Sequence, residues 1–150
     1  MNDLSDSGQT TARKAAAILV EKGCGFFIPT TRQRQNLLVA FASAGKVIYG
    51  KAFDVVRVTE DIDLDDIKAV ERDLKKICLC EIKSTRKRLK PDFSGYFFAL
   101  TAGEVLVAQS LKKQFRFVLV NTITGDFAEF SLTEIFARAK GIYPTWSISF

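Results

Sequence analysis

Leu79-Cys80-Glu81-Ile82-Lys83-Ser84-Thr85 carries an acid and a base two residues apart in an apolar run. On a β-strand that spacing points both side chains to one face and Cys78, Cys80 and Ile82 to the other. A strand this apolar is expected to be buried on both faces. A carboxylate and an ammonium there break the local pattern, and such breaks concentrate at functional sites. Asp54 is equally out of place in Phe53-Asp54-Val55-Val56-Arg57-Val58. If the two strands are neighbours, Asp54, Glu81 and Lys83 converge at one end of the sheet. Two carboxylates, Asp54 and Glu81, can hold a Mg²⁺ or Mn²⁺ ion through oxygen, and Lys83 can stabilise charge developing on a phosphate or orient an attacking water.

The 150 residues include no histidine. That excludes Ser-His-Asp and Cys-His catalysis, histidine-ligated zinc and imidazole-based nucleases. No phosphate loop of the G-x-x-x-x-G-K-[ST] or G-x-G-x-x-G kind is present, which weighs against a nucleotide-binding domain. The three cysteines form neither a disulfide framework nor a zinc knuckle. They are expected to be small buried apolar side chains in a reducing compartment. No apolar run reaches membrane-spanning length and the start lacks a signal pattern, so a cytoplasmic protein without a membrane partner is expected.

The elements that must position the trio follow from punctuation and periodicity. Residues 1–9 are polar and expected to be disordered, and Thr10 or Thr11 is expected to cap a first helix ending at Gly23. Residues 32–43 read as helix or strand. Strands are expected at 47–49, 53–58, 77–82, 93–100 and 115–120, from their β-branched and aromatic residues. Asp63 is expected to cap a short helix through Ile67, Val70 and Leu74. Thr101-Ala-Gly-Glu104 and Ser131-Leu-Thr-Glu134 are capping boxes that open two further helices, the second ending at Gly141. On this reading Glu104 is a cap and not a site residue. The helix after Thr101 could cross over between two strands. The expected product is one α/β domain over residues 1–150, with a mixed central sheet flanked by helices. Most of the 13 phenylalanines are expected in its core.

Net charge is +5, unevenly spread. Residues 60–73 hold seven acids and two bases, so the rest of the chain carries +10. Residues 83–90 hold five bases, and Arg86, Lys87, Arg88 and Lys90 leave the Glu-x-Lys strand at the end where a metal would sit. Such a loop suits backbone phosphates rather than base edges. Arg32, Arg34, Lys112, Lys113 and Arg116 are candidates to extend it.

Asp54, followed after 26 residues by Glu81-x-Lys83, resembles the signature of the PD-(D/E)XK nuclease superfamily, with its restriction-endonuclease-like fold. The resemblance spans about residues 10–121. Glu-Ile-Lys-Ser-Thr, Tyr-Phe-Phe-Ala-Leu-Thr-Ala-Gly-Glu and Phe-Arg-Phe-Val-Leu-Val-Asn resemble the Mrr-like branch in particular. The resemblance implies a Mg²⁺- or Mn²⁺-dependent DNA endonuclease, with Asp54 and Glu81 as metal ligands and Lys83 assisting the water. It also implies accessory roles for Glu21, late in the first helix, and Gln109, on the helix after the catalytic strands. Phe53 stands where the superfamily often has Pro, and Asp66 or Asp73 could compete for the first-acid role. A chain this short has little room for target recognition, so a homodimer or a partner subunit is expected, with double-stranded or branched DNA as the substrate. The alternative is an inactive nucleic-acid-binding or protein-interaction module of the same fold.

Overall fold

The computed structural model describes residues 3–150, with side chains from Thr10 onward. Of residues 1–9, expected to be disordered, residues 1 and 2 and the side chains of 3–9 lie outside the described residues, and the backbone of 3–9 belongs to the first helix.

Five strands form one mixed sheet in chain order: β1 (Phe26–Phe27), β2 (Val55–Val58), β3 (Ile77–Thr85), β4 (Phe115–Asn121) and β5 (Phe127–Phe130). All pairings are antiparallel except β3 with β4. A parallel pair needs a crossover, and α4 (Ala102–Leu111) supplies it, as the Thr101 capping box suggests. The expected α/β fold with a helix-flanked mixed sheet is thus the observed one.

The sheet separates two apolar layers. On one face α1 (Asp3–Glu21) packs Ala15, Ala16 and Leu19 against Val55, Cys80, Val118 and Val120. On the other, Leu37, Ala40 and Phe41 of α2 (Thr31–Ser43) and Val107 and Leu111 of α4 cover Val56, Leu79, Phe115 and Phe117. Phe41, Phe53, Phe115 and Phe117 are fully buried, each contributing about 1.5–3 kcal/mol. α3 (Ile67–Arg72) closes this layer with Val70, and α5 (Leu132–Arg138) packs beside α4 and β5.

Several local expectations are corrected. Thr10 and Thr11 lie within α1 rather than at its start. Residues 31–43 are helical because Thr30 and Gln33 form a reciprocal capping box. Asp66, not Asp63, caps α3; the Asp63 carboxylate accepts from the Asp65 amide instead. Residues 47–49 and 93–100 are not strands, since neither finds a ladder partner. Strand β5 went unforeseen, and α5 ends at Arg138, before Gly141. Cys24 is exposed and only Cys80 fully buried. Phe97, Phe136 and Phe150 are exposed as well, so the core holds fewer phenylalanines than expected. Among the described residues no helix is long and apolar enough to cross a membrane.

Candidate active site

The β2–β3 register sets Val55 opposite Cys80. One step further places Asp54 opposite Glu81, and the Asp54 amide donates to Cys80 O at 2.8 Å. Asp54 therefore sits at the threshold of β2 rather than inside it. Its Oδ2 accepts from the Ile82 amide at 2.8 Å, the donor that a longer β2 would have paired through its own backbone. Side chains alternate along strands, so Asp54, Glu81 and Lys83 share the face covered by α2 and α4, while Cys78, Cys80 and Ile82 share the α1 face.

A fourth member comes from α4. Glu104 is buried in the first helical turn, and its carboxylate does two jobs. Oε1 accepts from the Thr101 amide at 3.1 Å, completing the capping box. Oε2 lies 2.6 Å from Lys83 Nζ. Lys83 Nζ is also 3.7 Å from Glu81 Oε1. Assigning Glu104 to the cap alone missed half its role. The available signal was its apolar setting in Gly-Glu-Val-Leu-Val, where a purely solvated acid is out of place.

Charge balance defines the cluster. Burial, then the Asp54 carboxylate, push the Glu81 carboxyl up to about 9; Lys83 opposes the shift and Glu104 adds to it. Glu81 Oε2 is buried without a hydrogen-bond partner. Burial also raises the Glu104 carboxyl, but the Lys83 ammonium and the Thr101 amide outweigh it, and the net direction is down. Glu104 is the carboxylate Lys83 satisfies, and Asp54 and Glu81 are left facing each other.

Arg34 of α2 holds the approach to Asp54. Its Nη1 donates to Phe53 O at 2.6 Å and Gly50 O at 3.1 Å, and the guanidinium lies 4.4 Å from the Phe53 ring centroid. Burial lowers its pKa while Asp54 and Glu81 raise it; a guanidinium stays charged regardless. Arg34 thus belongs beside the carboxylates rather than to an outer DNA surface.

The competing acids are engaged elsewhere. Asp66 caps α3 through the Lys68 amide, and Asp73 pairs with Arg72 and Lys76. Glu21 is exposed at the end of α1, on the opposite face of the sheet. Gln109 is exposed and lines a separate groove with Lys112, Lys113 and Arg116. Neither joins the cluster. Arg116 pairs instead with Glu134 and lies 4.0 Å from Glu129.

Arg86, Lys87, Arg88 and Lys90 are exposed, directly after β3. The start of their loop is fixed: the Lys87 amide donates to Thr85 Oγ1, and Lys87 O accepts from Asn121 Nδ2.

Both carboxylates facing each other offer oxygen donors, which suit a hard cation that keeps most of its waters. Glu81 Oε2 is the oxygen of this pair left without a hydrogen-bond partner. Among the described residues no three His, Cys, Asp or Glu side chains gather as a ready ligand set. No protein-family model, curated protein or solved structure matches the chain.

Proposed function

We propose that the protein is a metal-dependent nuclease hydrolysing DNA phosphodiester bonds, of the PD-(D/E)XK kind that its motif resembles. The observation that carries this reading is the Asp54 carboxylate meeting Glu81 where the chain enters β2, with Lys83 beside Glu81. Asp54 and Glu81 would hold Mg²⁺ or Mn²⁺. When bound, the ion supplies Lewis acidity toward a phosphate oxygen and eases deprotonation of the attacking water. Lys83 Nζ, anchored by Glu104, presents its remaining protons to that water or to the developing negative charge. Arg34 holds the Gly50–Phe53 segment so that Asp54 stays opposite Glu81.

The test is incubation of the full chain with supercoiled, linear and branched DNA plus Mg²⁺ or Mn²⁺. Ion-dependent cleavage that EDTA stops, and that disappears when Glu81 and Lys83 are both replaced by Ala, is the expected result. Cleavage surviving both replacements would refute the site.

The basic loop makes a separate expectation. Each backbone phosphate contact adds about 0.7–0.9 to the log–log salt slope of binding. Neutralising Arg86, Lys87, Arg88 and Lys90 together should flatten that slope for every DNA sequence alike. An unchanged slope would remove the loop from the interface.

A second reading is a binding module of the same fold without catalysis. DNA binding with neither cleavage nor a calorimetric signal for Mg²⁺ or Mn²⁺ would select it.

A further inference from the structure

A groove of about 660 Å³ opens at Lys83, bounded by the end of β3, by Arg86 and Lys87, and by residues 95–99. Its lining contains three cations and no carboxylate. Hydrolysis has no use for its aromatic wall. Phe97 is 76% exposed, yet the chain on either side of it is anchored. The Tyr96 hydroxyl donates to Ser84 O at 2.7 Å, and the Tyr96 ring stacks on Phe98 with centroids 5.1 Å apart. Phe93, nearby, adopts φ +61 and keeps its ring buried; a left-handed backbone costs an L-residue about 1–2 kcal/mol. The Tyr143 ring lies 6.3 Å from Phe97 and widens the exposed aromatic surface. A segment held this firmly presents the Phe97 ring to water, beside Arg86 and Lys87, which form no ion pair among the described residues.

Building on the nuclease reading for the scissile phosphate, we propose that Phe97 is a stacking platform for an unpaired nucleobase, with Arg86 and Lys87 on the flanking phosphates. The substrate class is then single-stranded DNA or the unpaired part of a branched or flapped molecule. The pairing of features selects this ligand. Every base offers a π-face, and base–aromatic stacking beside a cationic track is how unpaired strands are held. In a duplex that face is hidden between neighbouring pairs, so a duplex would engage the cations alone. Every charged side chain in the lining is a cation, which together with the exposed ring suits a strand that carries both phosphates and bases.

Fluorescence anisotropy of the full chain in EDTA separates binding from cleavage. The probes are a labelled oligothymidylate, an abasic strand of equal length and charge, and a duplex containing the oligothymidylate. The oligothymidylate should bind about tenfold or more tighter than the abasic strand. Phe97→Ala should erase that difference, and Phe97→Trp should restore it. Arg86→Ala with Lys87→Ala should weaken both strands equally. Equal affinity of the wild-type chain for base-bearing and abasic strands, or an unchanged preference in Phe97→Ala, would overturn the platform. The ion-dependent cleavage assay decides the nuclease reading independently. Stacking without cleavage leaves the platform standing, and cleavage with no base preference removes it alone.

Discussion

Glu81→Gln is expected to stabilise the ion-free protein while abolishing the ion-dependent DNA cleavage proposed for it. Glu81 is ordinarily a carboxyl of pKa near 4.5, raised in the fold to about 9 by burial and by Asp54 across the ladder. The folded chain therefore keeps a proton there that the unfolded chain releases. Stability should fall as pH rises from about 4.5 toward 9, because the unfolded state binds fewer protons throughout that window. Glutamine keeps the shape without the charge. Near pH 8 the variant should melt measurably higher than wild type. Mg²⁺ or Mn²⁺ should raise the wild-type midpoint and leave the variant's unchanged. Cation affinity of the wild type should climb by up to about tenfold per pH unit below pH 9, since the ion competes with one proton. Activity of Glu81→Gln should drop more than about 100-fold. A variant that melts lower than wild type at pH 8, or that responds to the ion as wild type does, would contradict the arrangement.

Lys83→Met should destabilise the fold by about 3–5 kcal/mol, the usual cost of stranding one half of a buried ion pair. The Lys83 and Glu104 side chains are only 15% and 6% exposed, and Lys83 is the cation facing Glu104. The double variant Lys83→Met with Glu104→Gln should recover most of the loss, because no buried charge then remains unpaired at that contact. Both variants should lack cleavage activity, which separates the structural role of the pair from its chemical one. The Glu104 carboxyl is held below its ordinary value. Its share of stability is thus present above that ordinary value and lost as pH falls through the depressed one. A Lys83→Met protein as stable as wild type would show that the pair is not buried as described.

Much of the site was legible because strand geometry is rigid. Two-residue alternation placed Glu81 and Lys83 on one face, and an acid amid apolar residues singled out Asp54. The partnership of Asp54 and Glu81 needed the β2–β3 register, which follows from an antiparallel pairing that no local pattern encodes. Arg34 and Glu104 were harder to see for a different reason. Both come from helices, where a polar residue near a turn or cap has an ordinary local explanation. Residues 93–100 misled because Tyr96, Phe97 and Phe98 carry strand-forming side chains. That preference reports a fit to a half-buried pleated surface, and here no neighbouring strand provides one. Strand β5 was overlooked for the converse reason: at the sheet edge its residues are only half-buried, so its apolar signal is diluted.

The divided carboxylate of Glu104 has an evolutionary consequence. One oxygen starts α4 and the other holds the lysine. A mutation that shortens, neutralises or moves this side chain alters the crossover and the buried charge cluster in the same step. Drift at position 104 is therefore pleiotropic, and descendants could change the chemistry without disturbing the architecture only by compensating first at Thr101 or Lys83. The two functions are inherited as a unit, and the order in which substitutions can accumulate around them is restricted accordingly.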